Sequence, residues 1–165
     1  MPTYAFSNEN NLSVHNSSEV VSVTSDGVTV SKIMTFEEMV RRYAEVGGIS
    51  YAKALRAFPM QSMSSTRASD RTYRTVSVTL NVDTERGSLT TYHPTLELYC
   101  RISVGDGNWG IMSIYSVQMN RNSNGMTKQF SGDVQVWLRG PLSIEYVVNG
   151  DFYNNGTTTT SGGMD

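Results

Sequence analysis

The stretch TFEEMVRRYAEVGGISYAKALRAFP, residues 35–59, has helical periodicity within a sequence that otherwise has the pattern of β-strands. Thr35 is a favoured N-cap residue, and the Glu38 carboxylate can accept a hydrogen bond from the Thr35 backbone N–H. Met34 and Met39 occupy the two positions of a hydrophobic staple, which sets the angle at which the chain enters a helix. The sequence therefore predicts a helix that begins directly after Thr35.

A break and a second helix are expected in the same stretch. Gly47 and Gly48 supply the left-handed backbone conformation with which helices commonly end. Ser50 can cap a shorter second helix, and Pro59 ends it because proline has no backbone N–H. Apolar residues recur at helical spacing on one side of the first helix: Phe36, Met39, Val40 and Tyr43. The pair therefore has an apolar face to bury, and a sheet is the surface that it can cover.

Alternating apolar and polar residues predict about seven strands around this helix pair. The first two come from VVSVTSDGVTVSKI, residues 20–33, which we interpret as a β-hairpin. Asp26-Gly27 is a strong signal for a type I′ turn, and this register pairs Val23 with Val30.

The second half of the chain is almost entirely strand. Five segments have strand patterns: residues 71–83, 95–104, 109–119, 127–140 and 141–150. Residues 109–119 are apolar on both faces, which is typical of a central strand, and a turn is expected at residues 105–108. We therefore predict an α+β fold, a mainly antiparallel β-sheet of about seven strands with a two-helix insertion, residues 36–58, packed on it.

Composition divides the chain into three parts. Residues 1–18 are polar and predict a flexible arm, and residues 19–150 form a single α+β domain. Residues 151–165 are rich in Gly, Thr and Ser and predict a flexible tail. The first residues have neither a basic segment nor an apolar one, and no apolar run reaches membrane-spanning length. We therefore expect the protein to stay in the cytoplasm.

Catalytic signatures are lacking in this sequence. His15 lies in the arm and His93 stands beside Pro94, and neither has partners at catalytic or zinc-binding spacing. Cys100 is the single cysteine, which excludes a disulfide within the chain, and its alternation with Leu98 predicts a buried thiol. We expect no enzyme activity, no metal, no cofactor and no small-molecule substrate.

The centre of the chain is locally basic, although the formal net charge is -2. Five cations lie close together in sequence near a single acid, Asp70: Lys53, Arg56, Arg67, Arg71 and Arg74. We predict that they contact RNA or another acidic partner, whereas dispersed surface charge is the simpler interpretation. The pI near 5.7 argues against a dedicated nucleic-acid binder.

Low charge and many aromatic residues favour self-association. Charged residues are 17% of the chain, below the usual quarter, and nine Tyr are among the residues that replace them. Such compositions are common in β-rich proteins that pack against copies of themselves, and aromatic residues are enriched at interfaces. The predicted self-association residues lie in the arm and in the connection after the helices: Tyr4, Phe6, Met60 and Met63.

Two segments resemble rhabdoviral matrix proteins. VRRYAEVGGISYAKALRAF, residues 40–58, is similar to the family's helix, glycine-containing break and second helix. FSGDVQVWLRGPLSIEYVV, residues 130–148, is similar to its late strands. The resemblance implies a non-enzymatic virion protein that self-associates and condenses the nucleocapsid beneath an envelope. The arm lacks the family's lysine-rich cluster and the Pro-Pro-x-Tyr motif, and the acidic pI weakens the case for direct membrane contact.

The sequence therefore predicts a viral structural protein, matrix-like, that forms homo-oligomers in the virion and in the host cytoplasm. One alternative is a jelly-roll capsid subunit, which would have eight strands in two sheets and no helix pair on one face. A glycan-binding module is another, and it would display Trp109 and Trp137 in an exposed line. The third is an RNA-binding module that uses residues 56–74.

Overall fold

Two antiparallel sheets and a pair of helices make up the computed structural model, which describes residues 12–15, 17–59, 71–84 and 91–154. The helices are α1 (Phe36–Gly47) and α2 (Tyr51–Leu55). The strands are β1 (Leu12–His15), β2 (Glu19–Ser22), β3 (Val28–Val30), β4 (Thr72–Thr79), β5 (Asp83–Thr84), β6 (Thr95–Gly105), β7 (Asn108–Asn120), β8 (Asn122–Ser123), β9 (Met126–Thr127), β10 (Gln129–Gly140) and β11 (Ser143–Tyr153). The predicted α+β fold, dominated by antiparallel sheet, is confirmed.

The first sheet, sheet 1, has the strand order β10-β11-β1-β5. Strand β2 pairs with the part of β11 that β1 leaves free, so β1 and β2 follow one another along the same edge. Between them the register shifts by one residue, where Ser18 has a φ of 107°. Such a shift is a β-bulge, which lets one strand bend while it continues along its partner.

The second sheet, sheet 2, has the order β3-β4-β6-β7, and all its pairs are antiparallel. Strands β6 and β7 form a hairpin closed by Asp106 and Gly107, whose φ angles of 53° and 79° are both positive. Two positive values are what a type I′ turn requires, so the turn predicted at residues 105–108 is confirmed. A smaller hairpin, β8-β9, lies between β7 and β10 in the chain.

The helix pair forms as the local sequence signals predict. The Thr35 side chain accepts from the Glu38 backbone N–H, and the Glu38 carboxylate accepts from the Thr35 N–H, which completes the capping box. Gly48 ends α1 in the left-handed conformation with a φ of 66°, and Ser50 caps α2 by accepting from Lys53.

Sheet 1, sheet 2 and the helices form three layers. The buried residues of both sheets make one mainly aliphatic core between them, with Leu98, Val76 and Cys100 from sheet 2 and Ile144 and Val148 from sheet 1. On the other face of sheet 2, the helices bury a second cluster: Met39, Val40, Ala54, Phe58, Tyr73 and Tyr99. The far face of sheet 1 is not covered by any helix or strand of the described ranges.

Two predictions about strand pairing are wrong. Residues 20–33 form no hairpin, because β2 joins sheet 1 and β3 joins sheet 2. The chain instead crosses between the sheets near Asp26-Gly27, and Val23 donates its backbone N–H to Leu142. Residues 109–119 are also not central, because β7 is the last strand of sheet 2 in the described part of the chain.

The ordered domain extends past both boundaries predicted for it. Strand β1 lies in the segment expected to be a flexible arm, because Leu12 and Val14 are buried in the core between the sheets. Strand β11 continues to Tyr153, where Phe152 packs in the same core. The remaining arm and tail residues, 1–11, 16 and 155–165, lie outside the described residues.

Candidate assembly surfaces

The helix layer is joined to sheet 2 by hydrogen bonds to a buried carboxylate. The Glu97 side chain is 1% exposed, and its oxygens accept from the Arg42 guanidinium, the Tyr99 hydroxyl and the Asn120 amide, each at 2.9 Å. The bond to Glu97 raises the pKa of Arg42 above its ordinary value. Burial, and then the adjacent Glu97 charge, raise the pKa of the Tyr99 hydroxyl. A buried charge needs such partners, so these residues stabilise the helix–sheet contact.

The same layer contains a set of aromatic rings in edge-on contact. The ring pairs are Phe36–Phe58, Phe36–Tyr73, Tyr43–Phe58, Tyr43–Tyr99 and Phe58–Tyr99, with centroids 5.2 to 5.9 Å apart. These separations and tilts are the ones that aromatic pairs prefer. The apolar face of the helix pair is therefore occupied by intramolecular contacts and is not a free surface.

The structure separates the basic residues that the sequence placed together. Lys53 and Arg56 are exposed at the second helix, whereas Arg71 lies near the Tyr73 hydroxyl. Arg74 is on the opposite face of sheet 2, where it donates to the Ser31 carbonyl and stacks over a tryptophan ring. Arg74 therefore has a packing role, and Arg67 lies outside the described residues. Tyr4, Phe6, Met60 and Met63 lie outside them as well.

The two tryptophans do not share a face. Trp109 is half-buried under the Arg74 guanidinium, which lies 4.6 Å from the ring centroid, and it packs against the core between the sheets. Trp137 is 40% exposed on the open face of sheet 1. The exposed line of rings expected of a glycan-binding module is therefore not formed. The two sheets match the jelly-roll alternative, but the helix pair on one face does not.

Two long strands form the outer edges on one side of the sandwich. Strand β7 ends sheet 2 and β10 ends sheet 1, and the Ile111 N–H of β7 donates to the Pro141 carbonyl after β10 at 2.7 Å. Each strand pairs on one side only within the described part of the chain. Within the described residues the opposite edges are shorter, because β3 has three residues in sheet 2, and sheet 1 ends there in β2, with four residues, and β5, with two.

These long edges carry few charges. Strand β7 contains no charged residue, and β10 contains only Asp133 and Arg139. Met112 in β7 is 50% exposed, and it lies where the pairing with β6 shifts register. Both strands are predictable from the sequence, but their positions at sheet edges are not, because composition does not reveal which strand ends a sheet. The low charge of residues 108–120 was the available signal.

The open face of sheet 1 carries alternate residues of its strands. Val20, Glu145 and Trp137 lie in one row across β2, β11 and β10. Glu145 accepts hydrogen bonds from the Ser18 hydroxyl and the Arg139 guanidinium, and these bonds, the serine's first, lower its pKa. The Arg139 guanidinium also lies over the Trp137 ring. This end of the face is therefore ordered, with apolar side chains on either side of an ion pair.

Other classes of site have no support in the described residues. No group of three or more His, Cys, Asp or Glu side chains there could hold a metal ion. Neither helix is long and apolar enough to cross a membrane. Comparisons with protein-family models, curated proteins and solved structures found no match. The fold class, a β-sandwich covered by a helix pair on one side, thus comes from the structure alone.

Proposed function

We propose that this protein is a non-enzymatic structural protein that assembles with copies of itself. One observation carries the proposal: the long strands β7 and β10 end the two sheets, with no further described strand beyond them. An open edge presents a row of backbone N–H and C=O groups that pair readily with another strand. Proteins that stay monomeric shorten or charge such edges, whereas among the described residues the shorter edge strands are those on the opposite side, β3, β2 and β5.

Side-chain exposure along β10 supports the same proposal. Val134, Val136 and Leu138 point toward the core between the sheets, yet each is only half-buried. Residues on the core face of the neighbouring strand, such as Ile144 and Val148, are fully buried. The difference arises because nothing in the described chain lies beyond β10, and an added strand would remove this apolar surface from water.

The wider role we propose is matrix-like, linking a viral nucleocapsid to an envelope. This role rests on the resemblance of residues 40–58 and 130–148 to rhabdoviral matrix proteins. With this role the protein would be found in the virion and in the host cytoplasm. The exposed cations Lys53 and Arg56 would contact the nucleocapsid or RNA, and they form no ion pair with a described carboxylate.

Sedimentation velocity over a concentration series tests the self-association. We expect the mean mass of the full-length chain to rise with concentration, and electron microscopy to show rings, sheets or shells at the highest concentrations. Because β-strand pairing and apolar burial depend weakly on salt, the association should persist at physiological ionic strength. A protein that stays monomeric at high micromolar concentration and low salt would contradict the proposal.

RNA retention tests the proposed acidic partner separately. Arg56→Glu should weaken retention and reduce its salt dependence by about one counterion, since each neutralised phosphate releases roughly one ion. Lys32→Glu is a matched control, because it reverses an exposed cation outside the predicted cluster. Equal losses in the two variants would indicate net charge alone and would contradict a contact at Arg56.

A further inference from the structure

The two long edges differ in regularity. The pairing of β7 with β6 shifts register twice, once beside Met112 and once beside Tyr115. Bulges of this kind protect edges because they break the spacing of outward-facing backbone groups. The pairing of β10 with β11 is unbroken from Gln129 to Leu138. A regular ladder on one side leaves a regular row of groups on the other, so β10 is the edge better suited to accept a strand.

The sequence of β10 is complementary to itself when it is read in the opposite direction. If Val136 faces Val136 of a second copy in antiparallel pairing, Asp133 faces Arg139 and Gln135 faces Trp137. Side chains on one face of the first β10 then lie opposite side chains on the same face of the second β10, because successive side chains of a strand alternate between its two faces. Asp133 of each copy would therefore lie opposite Arg139 of the other, with one such pair at each end of the contact.

The core-facing residues match in this register as well. Val134 faces Leu138 of the second copy, so the half-buried apolar side chains of each edge cover those of the other. Arg139 is already held by Glu145 and lies over the Trp137 ring, which orients its guanidinium on the open face. Asp133 forms none of the ion pairs found among the described residues. An exposed carboxylate thus stands where the second Arg139 would arrive.

We infer that β10 pairs antiparallel with β10 of a second copy about a two-fold axis at Val136, so that sheet 1 continues across both subunits. The inference rests on the proposed self-assembly and names the strand and register that carry it. An isologous contact of this kind closes on itself, so it would make a dimer, and larger assemblies would need a further contact.

Cysteine cross-linking tests the register. Val136→Cys places a thiol on the axis, and Cys100 is the chain's single native cysteine and is buried. We expect a short bismaleimide or a mild oxidant to convert the Val136→Cys variant into a covalent dimer, because directly opposed residues have Cβ atoms about 5 Å apart. Met112→Cys is the control at the other long edge, and it should remain largely uncross-linked.

Charge reversal tests the proposed ion pairs. Asp133→Lys would place cations opposite Arg139 at both ends of the contact, and we expect the dimer dissociation constant to rise at least about tenfold. Glu45→Lys changes the net charge equally at an exposed position on α1 and should change the constant little. High salt should narrow the difference between the two variants.

The outcomes separate this inference from the proposed function. Cross-linking of the Met112→Cys variant alone, or equal dissociation constants for Asp133→Lys and Glu45→Lys, would overturn the β10 contact while self-assembly stands. A native chain that remains monomeric at every concentration would overturn both. Cross-linking of the Val136→Cys variant, together with a selective effect of Asp133→Lys, supports the two-fold contact.

Discussion

The two faces of sheet 2 are built from the same strands but are stabilised by different chemistry. Toward sheet 1, β6 presents Leu96, Leu98 and Cys100, which are fully buried in a mainly aliphatic core. Toward the helices it presents Glu97 and Tyr99, which are equally buried but hydrogen-bonded. The first face depends on burial and packing, which are non-directional, whereas the second also needs particular partners in particular places.

Leu98→Ala should have the largest effect, because it removes apolar atoms from the core between the sheets. We expect the free energy of unfolding to fall by about 3 kcal/mol, as for other buried leucines. Urea denaturation followed by circular dichroism measures the change. Leu142→Ala, at a partly exposed position, is the control and should lie within about 0.5 kcal/mol of the native protein. Equal losses in the two variants would mean that Leu98 is not part of a packed core.

Arg42→Met tests the helix-facing side. It leaves the Glu97 carboxylate, 1% exposed, without its cation, and we expect a loss of about 2 kcal/mol. Glu97→Gln should cost less, about 1 kcal/mol, because the Arg42 side chain is 44% exposed and can turn to water. Chemical denaturation of both variants measures the asymmetry. If Glu97→Gln lowered the free energy of unfolding more than Arg42→Met, the result would contradict our assignment of Glu97 as the residue that depends on its partner.

We expect Cys100 to make the core between the sheets sensitive to alkaline pH. Burial raises the pKa of its thiol from 9.0 to about 12, so above pH 9 the unfolded chain loses a proton that the folded chain keeps. Stability should therefore fall as pH rises from 9 toward 12, by roughly 1 kcal/mol at pH 10 from this group. Buried tyrosines add to the fall at higher pH. Comparison with Cys100→Ala at pH 8 and pH 10 isolates the thiol, and parallel pH profiles would contradict its role.

The helix caps should give the smallest effects, and Thr35→Ala should cost about 1 kcal/mol because it removes one capping bond from α1. Ser50→Ala removes the corresponding bond from the five-residue α2 and should cost less, about 0.5 kcal/mol, since Ser50 has no reciprocal glutamate. Thermal or urea unfolding distinguishes them. If Ser50→Ala costs more, the short helix contributes more to the helix layer than its length indicates.

The helix pair was predictable because its signals are local. Thr35, Glu38, Gly48 and Ser50 act on backbone groups within a few residues, and the structure has each of them in the predicted role. The buried position of Cys100 followed from strand alternation in the same way. Such features are recoverable from sequence because their partners are close in the chain.

The two Asp-Gly dipeptides illustrate where local signals end. Asp106-Gly107 closes the β6-β7 hairpin with positive φ at both residues, whereas at Asp26-Gly27 only the glycine has a positive φ. Strands β2 and β3, on either side of Asp26-Gly27, instead find longer partners in β11 and β4. The turn preference of an Asp-Gly dipeptide is worth only a fraction of the free energy gained when strands pair. Pairing with distant strands therefore overrides it.

The predicted contact residues likewise depend on long-range structure that local sequence does not specify. Arg74 lies close to Lys53 and Arg56 in the sequence, but the fold places it on the other face of sheet 2. The candidate edges, β7 and β10, depend on strand order, which no single strand encodes. A hydrophobic pattern specifies which face of a strand is buried and leaves open whether another strand lies beside it.

By itself the sequence determined the class of the fold, the helix pair with its caps and the inward faces of the strands, because these follow from bonds and periodicities within short segments. Only the tertiary structure decided which strands are neighbours, where Arg74 packs and which of the described strands end the two sheets. These features depend on contacts between residues far apart in the chain, such as Val23 with Leu142. Such contacts form only when the two sheets and the helix layer pack together.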